Sequence, residues 1–126
     1  MRDKSTASPS ARSHSVLFVS ADPDLRAVVS RVLEREAYRV HAVAHSGHAL
    51  LACRTGEFDV AIAELSAPDL SGPTLADQLR RHRPSLSVIY LGNPGTPEGL
   101  QNLLIRPFTR EALLQRVQLA CEAARA

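Results

Sequence analysis

A regular alternation of short apolar runs with amphipathic segments most constrains the fold of this chain. The runs Val16–Val19 and Val60–Ala63 contain no polar residue, which favours strands buried on both faces. Between and after them, apolar residues recur at helical spacing, as at Leu25, Val28 and Val29. The predicted order is β-α-β-α-β-α-β, a gap, and β-α. Such an order indicates an α/β fold of three layers, with a parallel sheet between helices.

Local signals give the predicted bounds of the elements. Asp22 followed by Pro23 marks the start of the first helix, with Asp22 as its N-cap. Tyr38–Val43 alternates in the manner of an exposed edge strand. The other helices are predicted at Ser46–Arg54, at Thr74–His82 and after Thr109, and the other strands at Phe58–Leu65, Leu86–Leu91 and Leu103–Ile105.

The connection between the fourth and fifth strands, residues 92–102, is too short for an ordinary crossover helix. It contains Gly92, Pro94, Gly95, Pro97 and Gly99. A parallel crossover usually needs a dozen or more residues. The fourth helix is therefore predicted to be shortened or absent.

Composition divides the chain into a tail and one domain. Residues 1–13 are rich in serine and lack apolar periodicity, so they are predicted to be a disordered N-terminal tail before a domain at 14–126. The domain carries 12 basic and 12 acidic residues, which makes nucleic-acid binding unlikely because such surfaces are basic. No apolar run reaches the roughly 18 residues of a membrane span, and no signal peptide is visible. A cytoplasmic location is expected.

The only lysine is Lys4, in the predicted tail. Schiff-base chemistry and the lysine of a phosphate-binding loop are thus excluded from the domain. The GNPGTPEG segment at 92–99 resembles a phosphate loop only in its glycine content. An enzymatic activity is not expected.

Four segments together resemble the response-regulator receiver domain of the chemotaxis type, over residues 15–123. They are VLFVSADPDLR at 16–26, EREAYRV at 34–40, FDVAIAELSAPDLSG at 58–72 and RPFTREALLQRV at 106–117. The resemblance implies a flavodoxin-like (βα)5 fold with five parallel strands in the order 2-1-3-4-5. It also implies a role in two-component, or phosphorelay, signal transduction.

A working receiver has a phosphorylation pocket, and this sequence departs from it at nearly every position. The family uses two metal-binding acids, an acceptor aspartate, a hydroxyl residue, a lysine and a switch aromatic. The corresponding residues here are Ser20 and Ala21 (with Asp22 one step later), Glu64, Gly92, Arg106 and Leu103. One acid is too little charge to hold Mg²⁺, a hard cation that prefers carboxylate oxygens. The pocket is therefore predicted to be degenerate, with no cofactor and with the Mg²⁺ site lost.

The expected function is that of a phosphorylation-independent pseudo-receiver that acts through protein–protein interaction. Glu64 and Arg106 replace the acceptor acid and its lysine, so a permanent salt bridge between them is predicted. A rival hypothesis has Glu64 mimicking a phosphoaspartate, although Gly92 lacks the hydroxyl that would sense the charge. A further alternative is a phosphoacceptor receiver with a non-standard site at Glu64.

The resemblance also suggests a partner surface. In receivers it lies around the fifth strand and its neighbouring helices, which here points to Leu100, Leu103, Pro107 and Phe108. The expected partner is a histidine kinase, an output domain or another regulator, and a homodimer is a further possibility.

Three other features have ordinary explanations. His41, His45 and His48 lack a carboxylate or cysteine to complete a metal site, so exposed histidines are expected. The basic run 80–83 fits a solvated helix end, with an acidic partner as the alternative. Cys53 and Cys121 have no CxxC spacing. The fold implied by the resemblance puts them on opposite faces of the sheet, too far apart for a disulfide.

Overall fold

The computed structural model describes residues 14–67, 69–96 and 102–125, and it has the predicted fold class. Five parallel strands form one sheet in the order β2-β1-β3-β4-β5. The strands are β1 (Ser15–Val19), β2 (Arg39–Val43), β3 (Val60–Glu64), β4 (Ser87–Gly92) and β5 (Leu103–Ile105). The helices are α1 (Pro23–Arg35), α2 (Ser46–Thr55), α3 (Gly72–His82) and α4 (Arg110–Arg125).

The connection from β4 to β5 is described only at 93–96 and at Asn102, and these residues form no helix. The predicted shortening of the fourth helix concerns mainly 97–101, which lie outside the described residues, as do the predicted tail at 1–13 and Leu100. None of the helices in the described part of the chain is long and apolar enough to cross a membrane.

Two apolar clusters lie on opposite faces of the sheet. The first packs α1 and α4 on alternate residues of the central strands, such as Phe18 and Ile62. The second packs α2 and α3 on the other alternate residues, such as Leu17 and Ala61. All four residues are fully buried. Burial of both strand faces explains why β1 and β3 are continuously apolar in the sequence.

The two cysteines belong to different clusters, as the fold predicted. Cys53 packs in the α2–α3 cluster and Cys121 in the α1–α4 cluster. Both are buried, and neither forms a disulfide. The sheet separates the two thiols, so the structure agrees with the prediction that they form no disulfide.

Helix α1 begins and ends with defined capping interactions. Asp22 accepts hydrogen bonds from the amides of Asp24 and Leu25, as the sequence predicted for an N-cap. At the other end, the Tyr38 amide donates to the Leu33 carbonyl and the Ala37 amide to the Glu34 carbonyl. This is the Schellman motif, and it places Ala37 at φ 69°. Tyr38 then enters the core, where burial raises the pKa of its hydroxyl to about 12.

The β3–α3 loop contacts the start of α2 and begins α3 close to the sheet. The N-cap residue of α2, His45, makes no side-chain capping bond; instead, Asp69 accepts a hydrogen bond of 2.9 Å from the Ser46 amide. Helix α3 starts at Gly72, two residues before the predicted start. A Cβ at Gly72 would lie 2.8 Å from the Glu64 carbonyl oxygen, so only glycine allows this approach of α3 to the end of β3.

Candidate functional site

The residues that matter most lie at the carboxyl ends of the strands. Ser20 follows β1, Glu64 ends β3, Gly92 ends β4 and Arg106 follows β5. In the sheet, β2 lies on one side of β1, and β3, β4 and β5 lie on the other. The switch point therefore falls between β1 and β3, and open α/β sheets bind their ligands at such a point. The structure thus brings these four predicted residues to one edge of the sheet.

The Glu64 carboxylate has a partner on each oxygen. Its Oε1 lies 2.9 Å from Nη2 of Arg106, and its Oε2 accepts a hydrogen bond of 2.8 Å from the Ser20 hydroxyl. The Glu64 side chain is 14% exposed and the Arg106 side chain 29% exposed. In such a partly shielded place, charge-assisted hydrogen bonds are stronger than neutral ones.

Ser20 is itself held by two further contacts. Its hydroxyl oxygen lies 3.2 Å from the Asp22 amide that donates to it. Its carbonyl accepts a hydrogen bond of 2.6 Å from the Arg26 guanidinium. Ser20 is only 2% exposed. The turn after β1 therefore directs a buried hydroxyl at Glu64. The sequence analysis treated Ser20 only as the replacement of a metal-binding acid and did not predict this hydrogen bond.

Arg106 reaches Glu64 across the end of β4. The Arg106 amide donates to the Gly92 carbonyl at 2.9 Å, which continues the pairing of β5 with β4. Gly92 carries no side chain, so β4 places none between the guanidinium and β3. The peptide bond between Arg106 and Pro107 is cis.

The Asp22 carboxylate, next to the pocket in the sequence, points elsewhere. Ala21 and Asp22 are exposed, and the Asp22 carboxylate caps α1. Within the described ranges, no group of three or more histidine, cysteine or acidic side chains is placed to hold a metal ion. Mg²⁺ is usually bound by one or two carboxylates together with water molecules, and the Glu64 carboxylate has both oxygens engaged by Arg106 and Ser20, which does not fit such a site.

A small polar cavity of about 40 Å³ lies beside Arg106, lined also by Leu65, Ser66, Leu91, Gly92, Asn93 and Thr96. This volume exceeds the roughly 10–15 Å³ that a cavity needs to hold one water molecule. Thr96 was not predicted from the sequence to take part in the site. The Asn-Pro-Gly-Thr sequence at 93–96 signals a turn, but it does not predict that this turn approaches the pocket.

An open apolar groove of about 500 Å³ lies on the other side of Arg106, lined also by Leu25, Val28, Asn93, Pro94, Pro107 and Phe108. Of the predicted partner surface, Pro107 is exposed and Phe108 is half-buried against the α1–α4 cluster. Leu103 is half-buried and packs on the other face of the sheet. The structure therefore groups Pro107 and Phe108 in the groove but not Leu103.

The histidines at the β2 edge are separate from this pocket. His41 and His48 line a groove between β2 and α2, and the rings of His45 and His48 lie 5.3 Å apart. In the basic run, the Arg80 and Arg83 guanidinium groups donate to the Leu86 and Gly56 carbonyls. These two arginines therefore stabilise the end of α3.

Comparison with known proteins identifies the family. The model of the response regulator receiver domain matches residues 16–118, so the chain belongs to this family. It is 27% identical over 111 residues to the transcriptional regulatory protein TcrA of Mycobacterium tuberculosis. It is 32% identical over 113 residues to the response regulator RppA of Synechocystis. These matches cover 82% of this chain but only 44% of TcrA and 48% of RppA, so the chain spans less than half the length of these regulators.

The structural neighbours agree with this assignment. The chemotaxis response regulator CheY4 of Vibrio cholerae matches with a TM-score of 0.78 and 26% identity, covering 85% of this chain and 98% of CheY4. The receiver domain of the hybrid histidine kinase CckA matches with a TM-score of 0.74 and 24% identity, covering 85% of this chain and 98% of that domain. The chain is therefore a receiver domain of two-component signalling.

Proposed function

We propose that this receiver domain works without phosphorylation and acts in two-component signalling by binding a protein partner. The observation that carries the proposal is the Glu64 carboxylate, whose two oxygens contact Arg106 and Ser20. An acceptor carboxylate attacks through an oxygen lone pair, and charge-assisted hydrogen bonds to its oxygens hold the negative charge in place and weaken that attack. In this pocket both oxygens are engaged.

The surrounding residues support the same conclusion. Glutamate is one methylene longer than aspartate, and a displacement of about 1 Å of a reacting atom can cost 10²-fold in rate. Ser20 and Ala21 supply no carboxylate for Mg²⁺, and Gly92 supplies no hydroxyl for phosphoryl oxygens. The pocket thus lacks the nucleophile geometry, the metal site and the hydroxyl, and we expect no cofactor and no enzymatic step.

The partner is expected to bind at the groove beside the pocket. Arg106 lines this groove and also pairs with Glu64, so the ion pair fixes one wall of the docking surface. Val28 of α1 is 51% exposed, and it lies with Leu25 and Phe108 in one contiguous apolar lining, the kind of patch that marks interaction sites. A histidine kinase, an output domain or another regulator is the proposed occupant, and a second copy of the chain is the alternative.

The proposed location is the cytosol. Two buried cysteines that form no disulfide suit a reducing compartment. The neutral domain gives no electrostatic basis for nucleic-acid binding.

Intact-mass measurement after incubation with acetyl phosphate and Mg²⁺ tests the proposal. We expect the mass of the protein to stay unchanged, while a phosphorylatable receiver treated in parallel gains one phosphoryl group, about 80 Da. A gain of the same mass by this chain that disappears in Glu64→Gln would falsify the proposal and favour a phosphoacceptor role for Glu64.

A further inference from the structure

Thr96 places its hydroxyl beside the strand end that lacks one. A Cβ built on Gly92 would lie 3.0 Å from Thr96 Oγ1, 3.1 Å from Leu103 Cδ1 and 3.2 Å from Ile105 Cδ1. Real Cβ atoms rarely make contacts this short. A side chain at position 92 would therefore push these neighbours by a few tenths of an ångström, and the polar neighbour among them is the Thr96 hydroxyl.

The Thr96 hydroxyl is fixed within its own turn. Its Oγ1 donates a hydrogen bond of 2.6 Å to the Asn93 carbonyl, and the Thr96 amide donates to the same carbonyl at 3.1 Å. Pro94 stands second in this turn and Gly95 third, with φ +90°. Proline and a left-handed glycine at these positions are what a type II turn requires. The hydroxyl adds a second bond that closes the turn.

The turn at 93–96 lies between the polar cavity and the apolar groove. Thr96 and Asn93 line the cavity, while Asn93 and Pro94 line the groove. Arg106 lines both. A change in the conformation of this turn would therefore alter one wall of the cavity and one wall of the groove.

We propose that Thr96 is a positioning residue, whose hydroxyl lies beside Gly92 but serves to hold its own turn. Its bond to the Asn93 carbonyl holds the 93–96 turn, and with it one wall of the groove, in a single conformation. A hydroxyl at the end of β4 could turn toward the acceptor acid, whereas the Thr96 hydroxyl is directed to a carbonyl of its own loop. The inference rests on the proposed function, because it assigns the groove to the partner.

Three variants test the role of the hydroxyl by ¹H–¹⁵N NMR on the full chain. Thr96→Val removes the donor at nearly constant volume, and Thr96→Ser retains it. Thr55→Val is the matched control, since the Thr55 hydroxyl also donates to a carbonyl of its own segment, that of Leu51 at 3.1 Å. We expect Thr96→Val to shift and broaden the amide signals of Asn93, Gly95 and Arg106, and Thr96→Ser to restore them. The proposal would be overturned if the amide signals of Asn93, Gly95 and Arg106 stayed unchanged in Thr96→Val. It would also be overturned if Thr55→Val changed these same signals equally.

A double-mutant cycle tests the contact between positions 92 and 96. Gly92→Ala is made in the wild-type chain and in Thr96→Ala, and the unfolding equilibrium constant is measured in urea. Gly92→Ala should raise the unfolding equilibrium constant in both backgrounds. We expect the factor of this increase to be roughly fivefold to tenfold larger in the wild-type chain than in Thr96→Ala, a coupling typical of residues in contact. Contacts with Leu103 and Ile105 remain in both backgrounds and cancel. Independent effects of the two substitutions would contradict the inferred contact.

The two proposals can fail separately. A phosphoryl adduct on Glu64 would reject the phosphorylation-independent function whatever the turn does. Unperturbed NMR signals in Thr96→Val would reject the role of Thr96 while the protein mass stays unchanged by acetyl phosphate.

Discussion

The Ser20 hydroxyl and the Glu64 carboxylate form a hydrogen bond of 2.8 Å between the carboxyl ends of β1 and β3. The other carboxylate oxygen contacts Arg106, beyond β5. One carboxylate therefore links three strand ends, although β4 lies between β3 and β5 in the sheet. In receivers a metal ion and a phosphoryl group act at this place, and here a hydroxyl and a guanidinium occupy the two sides of the acid.

Removing either partner of Glu64 is expected to destabilise the fold. Ser20→Ala should lower the free energy of unfolding by about 1–3 kcal/mol, the usual effect of leaving a buried polar group unpaired. Arg106→Met should cost about 2–3 kcal/mol, below the 3–5 kcal/mol of fully buried pairs, because the Arg106 side chain is 29% exposed. Urea denaturation measures both.

Two exposed positions give matched controls for these variants. Ser85→Ala and Arg81→Met make the same chemical changes at exposed residues away from the pocket, where changes within about 0.5 kcal/mol are expected. If Ser20→Ala and Arg106→Met matched their controls, the contacts to Glu64 would contribute nothing to stability.

The sequence predicted the fold because strand burial and helix capping leave local signals. Continuous apolar runs mark β1 and β3, whose two faces are covered by helices, and Asp22 followed by Pro23 marks the start of α1. The meeting of Glu64 and Arg106 was predictable from the family pattern, since both positions border the same pocket.

The roles of Ser20 and Thr96 were not predictable in the same way. Ser20 was interpreted only as a lost metal ligand, because its bond to Glu64 depends on the alignment of β1 with β3 and on the turn after β1. The approach of Thr96 to Gly92 depends on the conformation of the 93–96 turn. Both contacts depend on three-dimensional placement that periodicity does not encode.

Ala37→Gly is expected to stabilise the protein. Ala37 has φ 69° at the end of α1, a left-handed conformation that costs a residue with a Cβ roughly 1–2 kcal/mol. Glycine avoids that cost but loses more backbone entropy on folding, so we expect a net gain of about 1 kcal/mol. Thermal and urea unfolding measure the gain. A loss of stability would show that the helix end does not adopt this conformation.

The capping of α2 by Asp69 should make stability depend on pH. The hydrogen bond from the Ser46 amide holds the pKa of the Asp69 carboxyl below its ordinary value of 3.8. The folded state favours the charged carboxylate of Asp69. The contribution of this carboxylate to stability is therefore complete above pH 3.8, and it is lost as the pH falls through the lower pKa of the folded state. Asp69→Asn should therefore be less stable than the wild type at neutral pH, with a difference that narrows below pH 3.8.

Thermal melts across this range measure the narrowing. Asp77→Asn, at an exposed position of α3, controls for the general loss of one negative charge. A difference that stays constant with pH would mean that the Asp69 charge does not stabilise the start of α2.

The two thiols should react slowly in the folded protein and should not join to each other. Cys53 is 2% exposed and Cys121 1% exposed, and burial raises the pKa of the Cys53 thiol. Since the thiolate is the reactive form, alkylation by iodoacetamide should be at least roughly tenfold slower in the native state than in urea. Intact mass over time counts the adducts, and the denatured protein should take up one on each cysteine. Rapid labelling of the native protein would place the thiols at the surface. An intramolecular disulfide after mild oxidation would place them close together. Either result would contradict the packing of the two cysteines on opposite faces of the sheet.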